Sequence, residues 1–231
     1  MPTLYVGTSG YQYKEWKGSF YPADMPVDQM LAHYAERFSA VEINNTFYRI
    51  PKESVVTQWA SQVPEGFRFV LKASQRITHR HRLANADEPL AWYLRACAGL
   101  GPKRGPSFFQ CPPNLKKDAD RLVGFLKLLP EGWPAAFEFR HATWFDDEVY
   151  GILRDYDAAL CLADTDDDAA PRVATAGWGY VRLRRASYDQ GALEGWAAWI
   201  REQQWSDAYV FFKHEDEGAG PALGQRFLAL A

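Results

Sequence analysis

Short apolar runs rich in β-branched and aromatic residues alternate along the chain with longer stretches whose apolar residues recur at helical spacing. The short runs predict eight strands, at residues 4–6, 40–44, 67–72, 107–110, 135–139, 160–164, 180–183 and 209–213. The longer stretches predict seven helices, at residues 29–38, 55–63, 89–98, 118–129, 147–156, 193–203 and 223–230. Because neighbouring parallel strands need a crossover of roughly a dozen residues or more, the alternation predicts a parallel sheet.

The length of the chain favours one barrel. Eight strand-and-helix units in 231 residues average about 29 residues each, close to a (β/α)8 TIM barrel of ~250 residues, so we predict a single domain over residues 1–231. The acidic stretch from Asp164 to Gly179 also contains a proline and two glycines and leaves little room for a helix. We expect an irregular segment there, between strands six and seven. An open doubly wound sheet is the alternative, although no Gly-x-Gly-x-x-Gly motif follows a strand.

Composition narrows the class of protein. Hydrophobic residues make up 47% and charged residues 24%, which is typical of a soluble globular protein. The net charge of −3 argues against binding of nucleic acid over the whole surface, but it allows a local basic cleft. The chain shows no secretory signal pattern and no apolar run long enough to span a membrane, so we expect a cytoplasmic protein with no membrane partner. The oligomeric state is left open.

Polar and ionisable side chains follow nearly every predicted strand, at the end where barrel enzymes carry their chemistry. Side chains two positions apart share one face of a strand. In strand five, Phe137 and Phe139 would pack under the helices, which turns Glu138 and Arg140 toward the barrel axis. Inward candidates counted in this way are three acids, Glu42, Glu138 and Asp164, and five bases, Lys72, Arg140, Arg182, Arg184 and Lys213. A mouth with this excess of basic groups favours an anionic ligand, a carboxylate or a phosphate.

Glu42 and Glu138 are candidate acid–base catalysts, since two carboxylates in unlike surroundings can divide the acid and base roles. The alternative is that they only neutralise inward bases. Lys72, if desolvated beside other cations, would have a lowered pKa and could act as a base or form a Schiff base. A plain ion pair is the alternative for Lys72.

Aromatic residues supply flat surfaces near the predicted mouth. Tyr48 and Trp144 could stack on a sugar or a nucleobase, or they could belong to a satellite core. His79 and His81 could bind a metal, but no third ligand accompanies them, so the sequence predicts neither a metal nor another cofactor.

Several longer strings are recognisable in the chain. They are Gly-Thr-Ser-Gly-Tyr at 7–11, Trp-Lys-Gly-Ser-Phe-Tyr-Pro at 16–22, Val-Glu-Ile-Asn-Asn-Thr-Phe-Tyr at 41–48, Ile-Thr-His at 77–79, Phe-Gln-Cys-Pro-Pro at 109–113 and Glu-Phe-Arg-His-Ala-Thr-Trp at 138–144. In this order they resemble the YecE-like family, also called domain of unknown function 72. The resemblance runs from residue 7 to about residue 215.

The resemblance implies a TIM barrel without an established activity. It places eight residues at the family's signature positions, namely Glu42, Asn44, Tyr48, Gln110, Glu138, Arg140, His141 and Trp144. The chain departs from the family pattern where Arg184-Arg185 replaces His-Gly and where Lys213-His214 replaces Asn-Asn. Both departures add positive charge, so part of the basic mouth belongs to this protein alone.

Three functions follow as hypotheses. The first is an enzyme, a hydrolase or an isomerase or lyase, that holds a small phosphorylated sugar- or nucleotide-like anion with Arg140, Arg182 and Arg184 and uses Glu42, Glu138 and Lys72 as catalysts. Its other predicted ligand contacts are Asn44, Tyr48, Gln110, His141, Trp144 and Asp164. The second is a single-stranded nucleic-acid-binding module. The third is a metal-assisted phosphoesterase of endonuclease-four type that uses Glu42, Glu138, Asp164 and His141.

Overall fold

Eight parallel strands alternate with helices in the computed structural model, which describes residues 1–167, 169–214 and 216–230. The strands are β1 (Thr3–Thr8), β2 (Ala40–Ile43), β3 (Arg68–Lys72), β4 (Arg104–Gln110), β5 (Ala135–Glu138), β6 (Ala159–Asp164), β7 (Gly179–Leu183) and β8 (Asp207–Phe212). The α-helices are α1 (Met30–Ala35), α2 (Glu53–Ser61), α3 (Asp87–Ala98), α4 (Ala119–Leu126), α5 (Asp147–Asp155), α6 (Gln190–Glu202) and α7 (Ala219–Leu228). All eight predicted strands and seven predicted helices are therefore present.

The strands form a barrel rather than an open doubly wound sheet. They are hydrogen-bonded in the order β1-β8-β7-β6-β5-β4-β3-β2. The ring closes where Ser9 forms a parallel bridge with Glu42 and the Gly10 amide donates to the Glu42 carbonyl over 2.7 Å. The predicted (β/α)8 barrel is confirmed. The irregular segment is confirmed too, because the described part of the connection from β6 to β7 contains no helix.

Two apolar layers lie on opposite faces of the strands, and β4 shows the alternation that separates them. Phe108 points into the barrel and stacks on Tyr180 of β7, with ring centroids 5.2 Å apart. Phe109 points outward and packs edge-to-face on Phe125 of α4 at 5.1 Å. The same alternation turns every second residue near the end of a strand into the mouth of the barrel.

Three helices begin at an aspartate that caps them. Asp118, Asp146 and Asp189 precede α4, α5 and α6, and each carboxylate accepts a hydrogen bond from the backbone amide three residues later. An N-cap of this kind satisfies an amide that has no partner within the helix. Within the described ranges, none of the helices is both long and apolar enough to cross a membrane.

Side-chain hydroxyl groups join β1 to β2 where the ring closes. Gly7 approaches β2 so closely that a Cβ atom there would lie 1.8 Å from the Ala40 carbonyl oxygen. The buried Tyr34 hydroxyl of α1 accepts a hydrogen bond from the Thr8 amide over 2.7 Å and donates to the Ala40 carbonyl over 3.0 Å. The hydroxyl of Ser39, directly before β2, accepts from one backbone amide of β1 over 3.1 Å and donates to one of its carbonyls over 3.2 Å. These hydroxyl groups replace hydrogen bonds of the backbone ladder.

We predict that Tyr34→Phe lowers the free energy of unfolding by about 1–3 kcal/mol, because the buried Thr8 amide loses its acceptor. Tyr156→Phe is the matched control, since the Tyr156 ring is 39% exposed and its loss of a hydroxyl should cost less than about 0.5 kcal/mol. Urea unfolding followed by circular dichroism measures both values. Equal stability of the two variants would contradict a structural role for the Tyr34 hydroxyl.

Candidate functional site

One arginine joins two glutamates from distant strands at the carboxyl end of the barrel interior. Arg182 of β7 donates from Nη2 to Glu42 Oε1 over 2.9 Å, and from Nη1 to Glu138 Oε2. All three side chains are at most 2% exposed. The guanidinium carbon also lies 4.6 Å from the centre of the Phe108 ring. We call Glu42, Glu138 and Arg182 the buried triad, and the inward orientation predicted for all three is confirmed.

Glu42 is completely enclosed by hydrogen-bond donors. Ser9 and Asn44 donate to Oε1 over 2.7 and 3.1 Å, and the Tyr180 hydroxyl donates to Oε2 over 2.6 Å. Burial alone would raise the pKa of Glu42, but Arg182 and these hydrogen bonds outweigh burial and lower the pKa. The carboxylate is 0% exposed, so it has no surface open to a ligand. This geometry argues against the predicted acid–base role of Glu42 and gives it a structural one.

Glu138 lies at the boundary between the buried triad and the mouth. Its Oε1 atom accepts from Gln110 Nε2 over 2.6 Å and from Arg140 Nε over 3.0 Å, and Arg184 Nη1 lies 3.8 Å away. Burial alone would raise the pKa of Glu138, but Arg182, Arg140 and Arg184 together hold the pKa at about 2. Such a carboxylate stays ionised at neutral pH and has little capacity to act as a general acid.

Lys72 reaches the same network through an amide. Its Nζ atom donates to Gln110 Oε1 over 2.7 Å and lies 4.3 Å from the centre of the Phe47 ring. Burial and the charge of Arg182 lower the pKa of Lys72 to about 8, although the two glutamates of the triad partly oppose this shift. Lys72 does not form the ion pair that was the alternative, because no carboxylate of the described residues lies within 4.0 Å of its Nζ atom.

A cleft of about 680 Å³ opens next to Glu138, among the loops that follow β5 and β6. Its charged and ionisable lining residues are Glu138, Arg140, His141, Asp166, Asp167 and Arg184. The Arg140 and Arg184 side chains are 36% and 21% exposed, and the Arg184 Nε atom is buried without a hydrogen-bond partner. A second cleft, of about 590 Å³, lies at the opposite end of the barrel around Trp133 and contains none of the predicted site residues.

The inward orientation predicted for Asp164 is wrong. The inner face of β6 consists of Ala159, Cys161 and Ala163. Asp164 has the opposite parity and points toward the helix layer, where its Oδ2 atom accepts from Trp196 Nε1 and the Tyr188 hydroxyl, both over 3.1 Å. Its Oδ1 atom accepts from Arg185 Nε over 2.9 Å. Asp164 therefore anchors α6 and its loop and does not face the mouth.

The two predicted stacking residues have different environments. Trp144 is 0% exposed, stacks on Phe139 at 4.4 Å and donates its indole N–H to a backbone carbonyl, so it is a core residue and its predicted contact with a ligand is wrong. Tyr48 is 75% exposed on the loop after β2, with its ring edge-to-face against Phe47. His141 lies at the edge of the cleft.

The four residues of the predicted metal site do not form one ligand set. Asp164 lies outside the barrel, and the carboxylates of Glu42 and Glu138 both accept from Arg182. Throughout the part of the chain that the structure describes, no three His, Cys, Asp or Glu side chains are grouped closely enough to hold a metal ion. The ligand set of the endonuclease-four-type hypothesis is therefore wrong.

Three residues of the site were not identified from the sequence. Tyr180 shares the inner face of β7 with Arg182, so the period of two could have revealed it. Ser9 contacts Glu42 only because β1 and β2 meet there, and Phe47 lies below Lys72 because a short helical turn follows β2. Neither contact leaves a local signal in the sequence.

Fold and site together define a class of protein, a (β/α)8 barrel with a buried ion cluster beneath two partly exposed arginines. We call these two residues, Arg140 and Arg184, the rim. The chain belongs to the family described as "Protein of unknown function DUF72", whose model matches residues 5–231. The resemblance found in the sequence motifs is thereby confirmed.

Individual relatives agree with this assignment. The UPF0759 protein YecE of Escherichia coli (strain K12) is 29% identical over 143 residues, which are 62% of this chain and only half the length of YecE. The UPF0759 protein YunF of Bacillus subtilis (strain 168) is 25% identical over 268 aligned positions, covering 98% of this chain and 94% of YunF. A crystal structure of a DUF72 family protein from Thermotoga maritima MSB8 has a TM-score of 0.86 at 24% identity, covering 99% of this chain and 98% of that one. The family model establishes the family, and the similarity to the solved structure shows the fold.

We predict that Arg182→Met lowers the free energy of unfolding at pH 7 by about 3–5 kcal/mol, because it leaves the buried Glu42 carboxylate without a counter-ion and Glu138 with Arg140 and Arg184 only. In the wild type, the pKa of Glu138 is lower in the folded than in the unfolded chain, so its stabilisation is present above about pH 5 and is lost as the pH falls toward about 2. In the variant the pKa of both buried carboxyl groups rises. Its stability should therefore increase as the pH falls from 7 to about 4.5.

Urea unfolding at several pH values measures this difference. Arg121→Met is the matched control, because Arg121 pairs with Asp118 at a largely exposed position, and it should cost less than about 1 kcal/mol at either pH. The triad is not ionised if Arg182→Met is as stable as this control. The same conclusion follows if the loss of unfolding free energy relative to the wild type is equal at pH 7 and pH 4.5.

Proposed function

We propose that the mouth of the barrel binds a small anionic ligand and that the protein is an enzyme acting on it. The supporting observation is an imbalance of charge. Glu42 and Glu138 are the two carboxylates of the cluster, whereas Arg182, Arg140, Arg184 and Lys72 are four cations around them. Arg182 is already held by both glutamates. Among the described residues, Arg140 and Arg184 form ion pairs with Glu138 alone, although Asp166 and Asp167 line the same cleft, so an anion can complete the neutralisation of their charge.

The cleft indicates the kind of anion. Arg140 and Arg184 offer guanidinium N–H groups, which bind phosphate or carboxylate oxygens strongly. Asp166 and Asp167 belong to the same lining and can accept hydrogen bonds from hydroxyl groups. A phosphorylated polyhydroxy compound, such as a sugar phosphate or the sugar-phosphate part of a nucleotide, presents both kinds of group. We infer that this class of molecule is the ligand.

Proton exchange is assigned to Lys72 rather than to the glutamates. The triad carboxylates remain ionised and one of them is sealed, whereas the amine of Lys72 has a pKa of about 8, so about a tenth of it is unprotonated at pH 7 and it can exchange a proton. Glu138 would orient Gln110 and the rim arginines, and Gln110 would orient the amine. The chemistry assigned to the site is general acid–base catalysis on the bound anion, as in isomerases and lyases.

A single-stranded nucleic acid is the second candidate ligand, and one observation favours it. Tyr48 presents a 75% exposed ring on the same end of the barrel as the basic rim, and an exposed aromatic ring beside cations can stack on an unpaired base. The protein's net charge of −3 opposes the long basic track that such a partner needs.

We predict that glycerol 3-phosphate at about 100 times its Kd raises the Tm by roughly 5–10 °C, since binding to the folded state alone adds about 2.7 kcal/mol of stability. Glycerol should leave the Tm unchanged. Arg140→Gln and Arg184→Gln should each weaken binding by at least about tenfold, because each removes a charged donor of the cleft. Differential scanning fluorimetry and titration calorimetry at low and high salt provide the measurements.

Arg121→Gln serves as the control, since it removes one positive charge at a position outside the cleft. Undiminished affinity in both rim variants would overturn the assignment of the anion site. Binding of oligo(dT) that weakens with salt and with Tyr48→Ala, in the absence of binding to glycerol 3-phosphate, would favour the nucleic-acid candidate instead.

A further inference from the structure

We propose that Lys72 is a nucleophile that forms an imine with an aldehyde or ketone carrying an anionic group. This inference rests on the proposed function, because the rim arginines would hold the anionic group of the same molecule. It extends that function by naming a carbonyl compound as the substrate class and a covalent intermediate as its route.

The surroundings of the Lys72 amine are those of a nucleophile rather than of a structural cation. Its amine contacts the neutral Gln110 amide oxygen at 2.7 Å and the face of the Phe47 ring at 4.3 Å. Both partners tolerate a neutral amine, since neither needs the full charge of an ammonium group. A lysine that serves only to neutralise a carboxylate would instead contact one directly, which Lys72 does not do among the described residues.

Neighbouring cations disfavour protonation of Lys72. Burial has the largest effect, and the charges of Arg182 and Arg140 add to it, so that the pKa falls to about 8. Roughly one amine in ten is then unprotonated at pH 7, far more than for a lysine in water. Desolvation beside other cations is an established way to activate a lysine for attack on a carbonyl carbon.

A short chain of contacts connects the amine to the arginines of the rim. Lys72 Nζ contacts Gln110 Oε1 over 2.7 Å, and Gln110 Nε2 contacts Glu138 Oε1 over 2.6 Å. Arg140 Nε contacts that same Glu138 oxygen over 3.0 Å. One amide and one carboxylate therefore separate the nucleophile from an anion-binding guanidinium, which is a span that a small molecule can bridge.

The loop after β3 is strained next to Lys72. A five-residue π-helical turn, Arg76–Arg80, is followed by Arg82, Leu83 and Asn85, which all have φ between +48° and +65°. Non-glycine residues in this conformation cost energy and persist where the surrounding structure holds them, often at functional sites. In this loop the His79 ring packs edge-to-face on Phe47 at 4.9 Å, the ring that also contacts the Lys72 amine.

The reaction balances without a further reactant. The lone pair of the neutral amine attacks the carbonyl carbon, and the carbonyl electron pair moves to oxygen, which takes a proton and gives a carbinolamine. The hydroxyl group leaves with another proton as water, and a carbon–nitrogen double bond forms. Hydrolysis by the reverse route releases the amine. The protonated imine withdraws electrons from the adjacent carbon, so a proton or a carbon group bonded there can leave.

Reductive trapping tests the proposal. We incubate the full-length protein at pH 7 with dihydroxyacetone phosphate and sodium cyanoborohydride, whose hydride adds to the imine carbon and leaves a stable secondary amine. We expect a mass gain of one probe molecule minus one oxygen atom, located at Lys72 by peptide mass spectrometry. Dihydroxyacetone, which lacks the phosphate, should label Lys72 at least about tenfold more slowly.

Two lysine variants serve as controls. Lys72→Met should abolish the adduct while circular dichroism shows an unchanged fold. Lys103→Met removes another half-buried lysine, whose ammonium donates to the Ala60 and Val63 carbonyls far from the mouth, and the Lys72 adduct should form at the wild-type rate. Labelling of many lysines at similar rates, or no adduct at Lys72, would overturn the proposal.

Binding of glycerol 3-phosphate, which has no carbonyl group, separates this proposal from the proposed function. If it binds in an Arg184-dependent manner while dihydroxyacetone phosphate is not trapped, the anion site stands and the imine is refuted. If trapping at Lys72 is equally fast in Arg184→Gln and for the uncharged probe, the amine is reactive but the anion site is refuted. If neither probe binds or reacts, both proposals are refuted.

Discussion

The arrangement of the mouth depends on one guanidinium group that holds two carboxylates out of water. Arg182 of β7 reaches Glu42 of β2 and Glu138 of β5 within the barrel interior and lies over the ring of Phe108. Removal of Arg182 would leave the Glu42 carboxylate as an uncompensated buried charge, which is among the most destabilising changes a protein core can undergo. The triad therefore fixes the relative positions of β2, β5 and β7 at their carboxyl ends.

That constraint determines where the exposed groups lie. Asn44, Arg140 and Arg184 each stand two positions after a triad member, just beyond the end of its strand. The triad and the rim are thus successive layers of the barrel interior, one sealed and one partly open. Arg182 is paired with both carboxylates of the lower layer, whereas Arg140 and Arg184 of the upper layer are partly exposed. The proposed anion site rests on this difference between the two layers.

The fold could be predicted from the sequence because it rests on local periodicity and on unit length, and the short β6–β7 connection was visible in its composition. The inward positions of Glu42, Glu138 and Arg182 followed from the period of two.

Asp164 was assigned to the wrong face because β6 carries apolar side chains on both faces, so its sequence does not indicate which alternate residues point inward. The sealing of Glu42 could not be predicted, since it requires contact between residues 140 positions apart. Trp144 was misplaced because a core aromatic and a ligand-stacking aromatic look alike in sequence.

Carbon-13 NMR of the glutamate side-chain carboxyl groups, followed as a function of pH, measures the ionisation of the triad most directly. We expect the Glu138 carboxyl signal to stay at the ionised position from pH 8 down to about 4, and the Glu42 signal to titrate at a lower pH than those of exposed glutamates, whose pKa is roughly 4.3. Assignment by Glu42→Gln and Glu138→Gln identifies the two signals. A triad carboxyl group that takes up a proton above pH 5 would contradict the ionised triad and, with it, the excess of positive charge at the mouth.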